Sequence, residues 1–346
     1  MAKIVSSDNF YDNLALNTVR SLAFNEEKDF NAYKSQLKAK FIELTGIDEI
    51  AKNACPLNFE IESEVQKDGY KQIRFSIESE KGCFVPCYIL IPDGAKEKLP
   101  VVITLQGHAS GFHNSIGEVK FDGDKEYQET RGKFAVQAVK EGYIAVAIEQ
   151  RGMGESRLNE KNRDGAQMCT AAADYALILG RTQVGERVWD ISKVIDALSN
   201  FEVCDLDKIA ITGNSGGGTS SFYSACYDER IKLSVPSCGF CTYFESLFSA
   251  YHCACNFIPS AYKYFDMPDL ASLIAPRNLS IVYGGSDYLF LPEGVEKGYE
   301  TVEMIYEKAG AKENAEKIKT EKGHYWCVDV MWPTIKNQMK RLGWIK

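Results

Sequence analysis

From about residue 59 the apolar positions fall two apart. The segments FEIESEV, YKQIRFSIES and GCFVPCYILIP each alternate and each end at charged or Gly/Pro turns, which predicts three antiparallel strands opening the fold. LPVVITLQG, from residue 99, does not alternate. Its unbroken β-branched run predicts a strand covered on both faces, as in a parallel sheet. The same pattern returns in YIAVAIEQ at 143, KIAITGN at 208, KLSVPSCG at 232 and LSIVYGG at 279, and AEKIKTE at 315 reads as a last strand. Between the strands lie segments at helical spacing: KFAVQAVKE at 133, one long stretch AADYALILGRTQVGERVWDISKVIDALS from 172, and GVEKGYETVEMIYEKAG from 294. Strand alternating with helix predicts a mostly parallel, doubly wound α/β sheet.

Two segments stand outside that alternation. Residues 1–55 carry apolar positions at helical spacing (Phe30, Tyr33, Leu37, Phe41) and read as an N-terminal helical extension to a catalytic domain spanning 56–346. The aromatic-rich stretch near 239–275 reads as an insertion over one end of the sheet. Ligands sit at the carboxyl ends of strands in such sheets, so this insertion is placed to wall a pocket.

With 346 residues, of which 45% are hydrophobic, the chain can bury a large core without disulfides. Its formal net charge of -8 comes from acidic and basic residues mixed along the chain, with no basic stripe, so no nucleic-acid partner is expected. No run approaches the roughly 18 uninterrupted apolar residues of a membrane helix, and the N-terminus shows no apolar core of a secretory signal. Eleven cysteines, an odd number, fit reduced thiols. A cytoplasmic protein without a membrane partner is the expectation, and a homo-oligomer is left open.

The chemistry concentrates where KIAIT runs into Gly213-Asn214-Ser215-Gly216-Gly217-Gly218 before a helix-compatible segment. Strand, G-x-S-x-G, helix is a nucleophile elbow, in which small residues permit a turn tight enough to expose the Ser215 hydroxyl. A phosphate-binding loop is the weaker reading, because Thr219 stands where its lysine belongs. Four histidines are available as the base: His108, His113, His252 and His324. The order nucleophile, acid, histidine selects His324, in EKGHYW. Asp287, at the end of LSIVYGG, is the acid by strand context, ahead of Asp266, Asp269 and Asp329. Backbone N–H groups of Gly216 and, by loop position in Gln106-Gly107-His108-Ala109, of His108 would form the oxyanion hole, with Asn214 supporting the site.

QGHASG, EQRGMGES, GNSGGG, and LIAPRNLSIVYGGSD together with GHYW resemble the dienelactone-hydrolase-like branch of the α/β-hydrolase superfamily, in particular the acetyl xylan esterase and cephalosporin C deacetylase group. The resemblance spans roughly 60 to 346. It implies an α/β-hydrolase fold, a Ser215–His324–Asp287 triad, and an Arg151 that braces the catalytic loops. Met153 after Arg151-Gly152, and Tyr325 after His324, depart from the deacetylase pattern of Arg-Gly-Gln and of a glutamate in those places. Dienelactone hydrolases use cysteine at the elbow, so Ser215 speaks against that activity. The implied reaction is hydrolysis of a small ester such as an acetylated oligosaccharide, by a serine carboxylesterase that needs no cofactor. Tyr288, Phe290, Tyr325 and Trp326 are candidates to stack on sugar rings. The alternatives are a peptidase or amidase on the same triad, and a noncatalytic protein retaining the fold. Cys238, Cys241, Cys253 and Cys255 have the count for a thiolate zinc, but the single-residue gap in Cys253-Ala254-Cys255 weighs against it, and no metal is expected.

Overall fold

The computed structural model describes residues 7–158 and 169–346, so the first six residues of the helical extension lie outside it. Among the described residues nine strands form one sheet: β1 (Glu60–Lys67), β2 (Tyr70–Glu80), β3 (Cys83–Pro92), β4 (Leu99–Leu105), β5 (Ile144–Ile148), β6 (Cys204–Asn214), β7 (Ile231–Ser237), β8 (Asn278–Gly284) and β9 (Ala315–Thr320). Their spatial order is β1-β2-β3-β5-β4-β6-β7-β8-β9. β1, β2, β3 and β5 pair antiparallel in succession, and every pair from β5 through β4 to β9 is parallel. β5 therefore slots between β3 and β4, and chain and space fall back into step from β6 onward.

Alternate residues of the inner strands feed two cores. Val101, Ile103, Ile209 and Ile211 face the helices Phe30–Thr45, Gln183–Ala197, Gly216–Tyr227 and Pro292–Lys308. Val102, Ala145 and Ala210 face Phe134–Lys140 and Val328–Arg341. Tyr33, Leu37 and Phe41 belong to the first of these cores, so the N-terminal helix is packed into the same hydrophobic cluster as the sheet.

Two local expectations are corrected. The stretch from 172, read as one helix, is two: Cys169–Ile178 and Gln183–Ala197. Gly180 turns left-handed at φ 73° and the Thr182 side chain accepts from Gly185 N–H, starting a fresh helix. β1 alternates in sequence but is exposed along its length, with Ile61 and Val65 45% and 44% accessible. As the edge strand it has no second layer to cover it, and its glutamates discourage pairing with another chain.

Candidate active site

Ser215 follows the last residue of β6 at φ 58° and ψ −122°, and its N–H donates to Ser237 O at 2.9 Å. Positive φ is strained for a residue with a Cβ, and here it is held between a strand and the helix that starts at Gly216. The elbow tolerates no side chain beside it: a Cβ on Gly217 would lie 2.1 Å from Leu105 O, and one on Gly213 2.5 Å from the same atom. Asn214 anchors the turn by accepting from Ser237 Oγ at 3.1 Å.

His324 lies in the loop after β9 and is buried. Its Nδ1 sits 2.8 Å from Asp287 Oδ2, in the loop after β8. The other carboxylate oxygen of Asp287 accepts from Leu289 N–H (2.9 Å) and Phe290 N–H (3.3 Å). Burial works against the Asp287 charge, but the hydrogen bond and attraction from His324 outweigh it and hold the carboxyl below its usual range. Phe290 stacks on the imidazole, with ring centroids 5.9 Å apart and planes 7° from parallel. The remaining imidazole nitrogen, Nε2, is buried without a hydrogen-bond partner among the described residues. Ser215 and His324 line one cavity of about 520 Å³, though no hydrogen bond closes between Oγ and Nε2.

The loop after β4 closes over the elbow. A Cβ on Gly216 would sit 3.2 Å from His108 Nδ1 and 3.9 Å from its backbone nitrogen, so the amide regions of Gly216 and His108 are neighbours beside Ser215. Two side chains to which the sequence reading gave no role fix this loop. Gln150 donates to Gln106 O and accepts from Ser220 Oγ (2.7 Å), joining the loop to the helix Gly216–Tyr227. Glu149 accepts from Gln106 Nε2 (3.1 Å), Phe112 N–H (3.2 Å) and Glu155 N–H (3.1 Å). Both directly follow β5, which the sheet order sets beside β4; that neighbourhood is invisible in the sequence.

Burial dominates the Glu149 carboxyl and pushes it up to about 7, against the lowering effect of its backbone donors. An unfolded chain loses this proton near the ordinary carboxylate value while the fold keeps it. Stability therefore falls as pH rises from about 4.5 to about 7 and levels off above, by at most roughly 3–4 kcal/mol at 1.36 kcal/mol per unit. Glu149→Gln keeps the shape without the ionisation, and its unfolding midpoint should stay nearly flat over that window where the wild type declines. Equal slopes in the two proteins would contradict the assignment.

The other histidines and acids are committed elsewhere. His113 Nε2 pairs with Asp124 (2.8 Å) and Ser110 (3.2 Å) in a buried network. His252 lines the cavity, but its Nε2 lies 3.1 Å from Leu289 O. Asp266 and Asp269 cap a 3-10 turn and pair with Arg20, while Asp329 occupies the first turn of Val328–Arg341.

Three expectations change with the coordinates. Arg151 does brace, but on different ground: its guanidinium grips Asp190 bidentately (2.9 and 2.5 Å) and Glu80 (2.5 Å), tying the post-β5 loop to the helix Gln183–Ala197 and the end of β2 rather than to the catalytic loops. Trp326 is not available to a sugar. It is 3% exposed, packed on Phe134 at 4.4 Å, and its indole N–H donates to Gln137. Tyr325 is half-exposed but outside the cavity lining, beneath the Arg131 guanidinium at 5.2 Å, whereas Tyr288 and Phe290 line it. Cys238 and Cys241 do not join Cys253 and Cys255. Cys238 sits by Asp287 and His324, and Cys241 Sγ lies against Leu291 O.

The insertion supplies one wall of the cavity through Ala250, Tyr251, His252, Cys253 and Asn256, and among the described residues Arg131 is the only lysine or arginine in the lining.

A family model described as "Abhydrolase family" matches residues 4–231, well over half of the chain. The chain belongs to that family. Within this abhydrolase, residues 232 onward, including Asp287 and His324, lie beyond the matched region and complete the same sheet. A curated relative, "Putative hydrolase YtaP" from Bacillus subtilis (strain 168), is 26% identical over 244 residues, covering 69% of this chain and 78% of its own length. Among solved structures, the abhydrolase is similar to a "putative acetyl xylan esterase" from Bacteroides fragilis NCTC 9343, with TM-score 0.80 and 18% identity over 98% of this chain and 96% of the other. It is also similar to a glucuronoyl esterase of carbohydrate esterase family 15 from Teredinibacter turnerae T7901, with TM-score 0.65 and 15% identity over 95% and 90% of the two chains. The fold is that of the α/β-hydrolases. No helix among the described residues is long and apolar enough to cross a membrane.

Proposed function

We propose that the abhydrolase is a serine carboxylester hydrolase that removes acetyl groups from small saccharides, with Ser215, His324 and Asp287 as its triad. The observation that carries the reading is the buried, unpartnered Nε2 of His324, its other nitrogen fixed by Asp287, in the cavity of the strained Ser215. An imidazole held this way has one free basic position. Catalytic hydrogen bonds are often open in free enzymes and tighten only with substrate.

Nε2 takes the Ser215 proton as Oγ attacks the ester carbonyl. The Gly216 and His108 amides receive the negative charge that develops on the carbonyl oxygen, aided by the N-terminus of the helix Gly216–Tyr227. Nε2 then protonates the departing alcohol, and water releases the acid from the acyl-enzyme by the same route. Acetate as the acyl group follows the names of the acetyl xylan esterase relatives. Tyr288, 65% exposed at the rim, offers a face to a sugar ring, and Arg131 offers donors to its hydroxyls. Eleven free thiols suit a reducing compartment, where the substrate would be an imported oligosaccharide rather than polymer.

Treatment with a fluorophosphonate followed by peptide mapping should label Ser215 stoichiometrically, and acetylated xylo-oligosaccharides should release acetate. An unlabelled Ser215 would sink the hydrolase reading. Labelling without acetate release from any acetylated saccharide or p-nitrophenyl acetate would favour a peptidase.

A further inference from the structure

Beside the cavity, three distant segments bring His108, Cys169, Cys253 and Cys255 together. His108 comes from the loop after β4, Cys169 from the start of its helix, and the two other cysteines from the 3-10 turn Ala254–Asn256 and the residue before it. One ligand atom from each lies within 4.8 Å of every other. His108 Nε2 is 3.2 Å from Cys255 Sγ, and Cys169 Sγ is 3.0 Å from Cys253 Sγ.

We propose that these four side chains form a closed tetrahedral Cys₃His site for a zinc-class divalent ion, which clamps the His108 loop to the insertion. Bond lengths of about 2.3 Å to sulfur and 2.0 Å to nitrogen place tetrahedral ligand atoms ~3.5–3.8 Å apart. The His108–Cys255 and Cys169–Cys253 contacts are somewhat shorter than that range and no pair exceeds 4.8 Å, so small side-chain adjustments would seat an ion among the four. The one-residue gap between Cys253 and Cys255 is no obstacle, because the tight turn folds both thiols to the same side.

An independent feature points the same way. Arg187 is buried at 3% exposure, and the hydrogen bonds of its guanidinium run to Arg151 O at 3.3 Å. Burial works against its charge, and the groups whose negative charge would favour it are Cys255, which it also hydrogen-bonds, Cys169 and Cys253. A buried guanidinium facing three neutral thiols is costly. Three thiolates around a divalent cation carry a net single negative charge, which Arg187 neutralises. On binding, the three thiol protons pass to solvent, the neutral imidazole donates its lone pair, and no electron changes hands.

All four ligand positions are then protein atoms, which makes the site structural rather than catalytic. It leaves the His108 amide free beside Ser215 while fixing where that amide points, and it stands whether or not Ser215 is the nucleophile.

The test is metal content of the full chain, purified under reducing conditions without a polyhistidine tag and dialysed against metal-free buffer. About one zinc per chain should remain. Cobalt(II) substitution should give the thiolate charge-transfer and visible bands of a tetrahedral sulfur-rich site, and this reading on the intact protein does not depend on any variant folding. Cys255→Ser and Cys169→Ser should each lose most of the metal, while Cys55→Ser, remote from the cluster, should retain it. Eleven titratable thiols with no bound metal, and no cobalt spectrum, would overturn the proposal. So would a disulfide between Cys169 and Cys253, seen as two fewer thiols on titration and as a crosslinked peptide.

Discussion

Ser215→Ala should lower acetate release by roughly 10⁴-fold or more while leaving the fold intact, since loss of a triad nucleophile removes the covalent route and leaves only binding and oxyanion stabilisation. The reason to expect an intact fold is specific. Ser215 holds φ 58° through its neighbours, above all its N–H bond to Ser237 O, and both alanine and serine suffer that strain alike. The thermal midpoint should therefore move little, and fluorophosphonate labelling should vanish. A variant that keeps more than about a thousandth of wild-type turnover would remove Ser215 from the mechanism, given the size of such losses. Binding of a saccharide product should survive, because the cavity wall contributed by the insertion is untouched.

Much of this site is legible in the chain because its logic is local. The elbow is a run of six residues in which Gly213 and Gly217 have no alternative, because a Cβ on either would lie 2.1–2.5 Å from Leu105 O. His324 and Asp287 were reachable by order along the chain, since parallel strands deliver their following loops to one end of the sheet. What escaped the sequence is what depends on neighbours in space. The insertion of β5 between β3 and β4 puts Glu149 and Gln150 beside the loop after β4, yet more than 40 residues separate them from Gln106. Arg151 was read through its loop, but its partners Glu80 and Asp190 come from β2 and the helix Gln183–Ala197.

The aromatic and cysteine readings failed for a related reason. Residue type says that Trp326 can stack on a sugar; only packing shows that Phe134 and Gln137 have already taken its face and its N–H. Cysteine spacing pairs Cys238 and Cys241 with Cys253 and Cys255, whereas the fold turns Cys238 toward the loop after β9 and Cys241 toward the loop after β8, and gathers Cys169 and His108 beside Cys253 and Cys255 instead. Short spacings describe ligand sets built on one hairpin. This cluster is built across three distant segments.

Asp287→Asn should lower kcat by about 10⁴-fold with little change in KM, as expected when a triad acid is replaced by its amide. The carboxylate at 2.8 Å accepts a hydrogen bond from His324 Nδ1–H, which keeps the ring proton on Nδ1 and leaves Nε2 bare and able to accept the Ser215 proton. An amide NH₂ in that place donates instead, so the ring carries its proton on Nε2 and the base is lost. The local fold survives, because an asparagine oxygen can still accept from Leu289 and Phe290 N–H. A pH series separates this from general damage. The wild-type carboxyl sits below its ordinary value, so its pairing stabilises the fold above that ordinary value and the benefit disappears as pH falls through the folded one. The variant has no such benefit to lose, and its unfolding midpoint should approach that of the wild type as the solution is acidified. A loss of activity with Nε2 still unprotonated in the nitrogen-15 spectrum of the variant would place the role of Asp287 outside tautomer control.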